Sequence, residues 1–101
     1  MELPGVLIDI ANILFSQGDD KQSFDLSFEA LVLAKNMLKL EEQFNALLII
    51  YKLYYQKRDP DTAMRYLNEA KEIAATFDNK EYMLQQAADA EKSVLDSSDS
   101  N

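Results

Sequence analysis

The sequence falls on itself when displaced by forty residues. Leu7, Ile10, Leu14 and Phe15 land on Leu47, Ile50, Tyr54 and Tyr55, and Ala30, Leu33, Ala34 and Met37 land on Ala70, Ile73, Ala74 and Phe77. Identity is low, but size and polarity agree at the spacing of a helix face. A period in this range signals an array of helical hairpins, in which one unit cannot bury its apolar face alone and a neighbour completes it. The expected fold is therefore all-α, and the expected class is an interaction module.

Composition narrows the chemistry. A chain of 101 residues makes one domain with a modest core. Only two glycines and two prolines punctuate it, which favours helix over long stretches. Without cysteine there are no disulfides or thiol chemistry, and without histidine the commonest general base and metal ligand is missing. No apolar run approaches membrane-spanning length, and Met-Glu-Leu-Pro does not open like a signal peptide. The expected location is the cytoplasm.

The formal net charge of -8 is unevenly spread: -5 over residues 1–29, +3 over residues 30–58 and -6 over residues 59–101. The overall sign opposes nucleic acid and anionic membranes. The central positive strip is Lys35, Lys39, Lys52, Lys57 and Arg58, available to the chain's own acidic ends or to an acidic partner.

Five helices are expected. The first spans about Pro4 to Gln17, with Pro4 in its first turn and Gly18 ending it in a left-handed conformation. Its core stripe reads Leu7, Ile10 and Leu14, widened by Val6 and Ile13. The second spans about Ser23 to Leu38, with Ser23 or Asp20 as cap and Phe24, Phe28, Leu31, Ala34 and Leu38 on one face. The third, about Glu41 to Lys57, is too apolar to be covered on one side only; no glycine or proline marks where it begins. The fourth opens on Asp59-Pro60-Asp61 and carries the narrow stripe Ala63, Leu67, Ala70 and Ala74 to about Thr76. The fifth follows Asp78-Asn79, with Asp78 as cap, and runs to about Leu95. Its apolar contacts are expected at Tyr82, Leu84 and Ala88, near Ala87, Ala90 and Val94. Residues 1–95 make the domain, as units 1–38 and 39–78 and a capping helix 79–95, and the acidic tail 96–101 is expected to be disordered.

The second unit resembles a tetratricopeptide repeat (TPR). Ala63, Leu67 and Ala70 match the small and large positions of that repeat's second helix, and Leu47, Ile50, Tyr51 and Tyr54 stand at the signature positions of its first. Tyr51 departs, because a small residue is usual there. In the first unit Leu7, Ile10, Ala11 and Leu14, with Ser23, Ser27 and Ala30, repeat the pattern, and Ala11 restores the small residue. Ala87, Ala90, Glu91 and Val94 supply a third first helix, like a terminal cap. The period near forty is similar to the long-linker variety found in bacterial peptide-sensing regulators and eukaryotic scaffold adaptors. The resemblance implies antiparallel hairpins stacked as a short right-handed solenoid, with the first helix of each unit lining a concave face.

On that implied face the candidate protein-binding residues are Ile8, Asn12 and Phe15 from helix one, Asn45, Leu48, Lys52 and Tyr55 from helix three, and Gln85 and Lys92 from helix five. With Ala88 and Leu95 of helix five they form rows, apolar at Ile8, Leu48 and Ala88, polar and positive at Asn12, Lys52 and Lys92, apolar again at Phe15, Tyr55 and Leu95. Such a surface suits a peptide or helix of a partner protein with apolar anchors and an acidic group. The alternative is that the same residues are core or a homodimer interface.

Enzymatic chemistry has no constellation to rest on. Asp19 with Asp20 and Glu41 with Glu42 are adjacent and read as caps and solvated turns, not as an opposed acid–base pair. No metal-ligand spacing and no glycine-rich phosphate loop is present, so no cofactor is expected. The N-terminal end of helix three carries Glu41 and Glu42, which phosphates would repel.

Overall fold

A computed structural model describes residues 3–99, with side chains to residue 95. Five helices follow one another: α1 (Pro4–Ser16), α2 (Asp20–Asn36), α3 (Leu40–Gln56), α4 (Pro60–Ala74) and α5 (Lys80–Asp99). No strand occurs among the described residues. The backbone of α5 continues to Asp99, past the Leu95 end expected from sequence, so most of the expected tail extends the helix. Ser100 and Asn101 lie outside the described residues.

Three of the four connections are the same joint. Gly18, Leu38 and Arg58 take φ values of 83°, 56° and 63°, the left-handed region. After α1, the Gly18 N–H donates to the Phe15 carbonyl and the Asp19 N–H to that of Leu14, at 3.1 and 2.9 Å. Leu38 and Lys39 repeat this on Lys35 and Ala34, and Arg58 and Asp59 repeat it on Tyr55 and Tyr54. This is the Schellman arrangement, which satisfies the last carbonyls of a helix. Each joint ends on the residue that precedes the next helix, so the chain reverses within three residues.

Capping chemistry follows. Asp59 accepts from the Thr62 N–H at 3.2 Å, as Asp59-Pro60-Asp61 predicts. Asp19, not Asp20 or Ser23, caps α2 by accepting from the Gln22 N–H at 3.2 Å. Ser23 is instead fully buried and donates to the Ala11 carbonyl at 2.8 Å, tying α2 to α1. The helix resumes one residue after each joint, which leaves Ser23 a full turn inside.

The helices pack mainly in chain order, α1 on α2, α2 on α3 and α3 on α4, and α3 touches all four others. That central position is why α3 is apolar around its girth: Phe44, Ala46, Leu47, Ile50 and Leu53 are wholly buried. Alanines at positions 63, 70 and 74 let α4 approach it closely, with Leu67 filling the space between. The result is a stack of helices with α1, α3 and α5 in one layer and α2 and α4 in another. Backbones of α1, α3 and α5 approach within that layer. Those of α2 and α4 do not, and side chains bridge them: Phe28 to Tyr66 with centroids 6.1 Å apart, and Lys35 to Glu69 at 3.3 Å.

Two stripes differ from the expected ones. On α1 the buried residues are Pro4, Leu7, Ile8 and Ala11, while Val6, Ile10 and Ile13 are exposed. Ala11 is fully buried where Ser23 of α2 donates to its carbonyl. On α5 the buried stripe is Met83, Ala87, Ala90 and Val94, whereas Tyr82, Leu84 and Ala88 are exposed. Leu38, expected on the core face of α2, lies past its end at 84% exposure, because it occupies the left-handed joint.

Candidate functional site

The open face of the α1, α3, α5 layer brings most of the candidate residues together. A depression of about 290 Å³ is lined by Ile8, Asp9 and Asn12 from α1, Asn45, Leu48, Ile49 and Lys52 from α3, and Gln86 from α5. A second, of about 220 Å³, is lined by Phe15, Lys52, Tyr55, Gln56, Arg58, Ser93 and Val94. A third, of about 270 Å³, joins Leu48 and Lys52 to Gln86 and Asp89. Lys52 borders all three and is the centre of the face.

Burial separates floor from walls. Ile8 is 5% exposed and belongs to the core cluster, so it is a floor residue whose edge meets the depression. Leu48, Phe15 and Tyr55 are half-buried and rest against that cluster. Asn12 is exposed and Asn45 half-buried, and neither side-chain amide is held by another described residue. Their donors and acceptors remain available along one wall.

Lys52 is half-buried, with its Nζ 6.0 Å from the Phe15 ring centroid, the outer range of a cation–π contact. Two ion pairs form among the described residues, Lys35–Glu69 and Lys71–Glu91, and Lys52 belongs to neither. Burial lowers its pKa, since the charged ammonium loses hydration without a carboxylate to replace it. The chemistry on offer is a half-buried cation beside an aromatic ring, between a polar recess that holds Asn12, Asn45 and Asp9 and a mixed one that holds Phe15, Tyr55 and Val94 with Arg58.

Two candidates lie elsewhere. Gln85 borders none of these depressions itself, but its Nε2 donates at 3.0 Å to Asp89, which borders the third. Lys92 is also exposed and borders none of them. In their place α5 offers Gln86, Asp89, Ser93 and Val94. The α4–α5 turn lacks the left-handed joint: Thr76 and Phe77 donate to the Ile73 and Ala74 carbonyls, and the Thr76 hydroxyl bonds Ile73 at 2.7 Å. The buried stripe of α5 nevertheless keeps the repeat: Met83, Ala87 and Ala90 fall forty residues after the buried Gln43, Leu47 and Ile50.

On the opposite side, Phe24, Phe28, Tyr66 and Tyr54 form a closed ring of aromatic neighbours, with centroids 4.9 to 6.1 Å apart. The Lys57 ammonium sits 4.7 Å from the Phe24 centroid. This cluster binds α2, α3 and α4 together. Burial, chiefly, raises the Tyr66 pKa, with Tyr54 and Glu69 adding to it. Tyr51 is buried in the core, and its pKa is pushed up to about 12 by burial first and by Glu91 and Tyr55 second. No group of carboxylates suited to a metal occurs among the described residues, and no helix there is long and apolar enough to cross a membrane.

Comparison with family models, curated proteins and solved structures found no match to this chain.

Proposed function

We propose that this chain is a non-enzymatic protein-interaction module, a TPR-like array that takes a peptide or helix of a partner protein on the face formed by α1, α3 and α5. Lys52 carries the reading. A half-buried lysine outside any ion pair loses hydration in the free protein, and a carboxylate from a partner would restore it. Around it, Asn12, Asn45 and Gln86 can bond a peptide backbone, and the recess at Phe15, Tyr55 and Val94 can take an apolar side chain. The small spacing within this layer, against the side-chain-bridged spacing of α2 and α4, supports a stack that curves toward the same face.

The test is a peptide array of acidic–apolar sequences, followed by affinity measurements in solution. Peptides with one acidic and one apolar anchor should bind, and Lys52→Glu should weaken them about tenfold or more while leaving helicity intact. Equal binding by Lys52→Glu removes the charged element of the proposal. A dimer that Leu48→Asp converts to monomers assigns the surface to self-association instead.

A further inference from the structure

One recess on the Lys52 face differs in charge from its neighbours. The depression of about 220 Å³ is lined by two cations, Lys52 and Arg58, and by no carboxylate among the described residues. Asp9 borders the depression that holds Asn12 and Asn45, and Asp89 the one beside Gln86. Neither Lys52 nor Arg58 joins an ion pair among the described residues. Asp59, next to Arg58 in the chain, accepts the Thr62 N–H, and Glu91 of α5 is held by Lys71. At this range the local groups count for more than the chain's overall negative sign, because salt screens charges beyond about 8 Å.

The backbone places Arg58. It takes the left-handed position of the α3–α4 joint, at φ 63°, and its N–H donates to the Tyr55 carbonyl at 3.1 Å. Phe15, Tyr55 and Val94 supply the apolar lining of the same recess, and Gln56 and Ser93 add an amide and a hydroxyl.

Size and charge together select the occupant. The recess is smaller than the roughly 300–1,000 Å³ of sites that enclose a whole small ligand, so it suits one side chain. Two cations call for more than one negative charge. A glutamate brings a single charge and little apolar body. A phosphorylated tyrosine joins an aromatic ring to a charge of about -1.5 to -2 at neutral pH, with three acceptor oxygens. Arginine can meet two of those oxygens at once, and lysine adds a point charge.

We propose that this recess is a phosphotyrosine site: the ring of a partner protein's phosphotyrosine enters between Phe15, Tyr55 and Val94, and its phosphate lies between Lys52 and Arg58. The proposal rests on the reading of this face as a peptide surface and names the residue that the face selects.

The test uses the full chain, isotopically labelled, with phenyl phosphate, phenylacetate and inorganic phosphate as probes. Phenyl phosphate should shift the resonances of Phe15, Tyr55 and Val94 and bind about tenfold more tightly than either of the others. Lys52→Gln and Arg58→Gln should each weaken it about fivefold or more. Arg58→Gly, which relieves the left-handed backbone, should do the same with the fold intact. Lys57→Gln, which removes the neighbouring cation over Phe24, should leave the affinity unchanged. Short peptides identical but for one residue, phosphotyrosine, tyrosine or glutamate, extend the test to a protein partner, and the first should bind about tenfold more tightly than the others. Equal shifts by phenylacetate, or equal losses with Lys57→Gln and Arg58→Gln, would overturn the proposal. Equal binding by the glutamate peptide would overturn it too while leaving the face a peptide site, and no binding by any peptide would remove both readings.

Discussion

Tyr54 and Tyr66 lie face to face, with ring centroids 5.4 Å apart and planes 10° from parallel. One belongs to α3 and the other to α4, and each also meets a phenylalanine of α2 edge-on. The pair is thus shared by three helices, two of which have no close backbone approach. Replacing either ring by leucine should destabilise the fold, and the two losses should not add. A double-mutant cycle of Tyr54→Leu and Tyr66→Leu, read by urea unfolding, should show coupling of about 1 kcal/mol. Additive losses would mean that the rings act only as buried area.

The left-handed joints make opposite predictions at two equivalent positions. Leu38 holds φ at 56° with a side chain almost wholly in solvent, so it gains no burial to offset its backbone strain. Leu38→Gly should raise stability by about 1 kcal/mol. Gly18, at φ 83°, has open space where a methyl would sit but the wrong backbone for one, so Gly18→Ala should lower stability by about 1 kcal/mol. Chemical denaturation midpoints check both, and shifts of the same sign would defeat the account.

Asp59 and Asp61 flank one proline but act differently. Asp59 accepts the Thr62 N–H, and Asp61 only places charge in the first turn of α4. Asp59→Ala should cost about 1 kcal/mol. Asp61→Ala should cost a few tenths, roughly, and that loss should fade with added salt. Equal costs in thermal unfolding would remove the distinction.

Tyr51 gives the fold an alkaline limit. Its phenol stays neutral in the folded chain up to about 12, against 10.0 for the ordinary group. The unfolded chain therefore releases this proton first as pH rises. The stabilisation is complete below about pH 10 and is lost as pH climbs toward about 12. Tyr51→Phe should flatten the fall of the urea midpoint across that window, leaving the part due to Tyr66, whose pKa is also raised. An unchanged slope would show that Tyr51 does not titrate against the folded state.

Most helices could be read from residues alone because their ends are written locally: Gly18 stops α1, and Asp59-Pro60-Asp61 starts α4. The α2–α3 joint was unmarked because a leucine, not a glycine, takes the left-handed position there. The phase of α1 was hidden for another reason. Apolar residues occupy both 7-8-11 and 3-6-10-13, so periodicity offers two stripes and cannot rank them. Packing decides: Ala11 is fully buried against α2, and Ser23 donates to its carbonyl. On the Lys52 face, the α1 and α3 candidates converge because the repeat holds across their joints. Gln85 and Lys92 border none of its depressions, which α5 reaches instead through Gln86, Asp89, Ser93 and Val94.

The joints at Gly18, Leu38 and Arg58 recur every twenty residues, half the period of the side-chain pattern. Backbone geometry and side-chain identity therefore keep separate clocks. Splicing in one helix and one turn would satisfy every hydrogen bond of the connections yet exchange the inner and outer layers for everything that follows. Splicing in two would preserve both. Length changes in such a chain are tolerated by parity: its grammar accepts added pairs and rejects added singles.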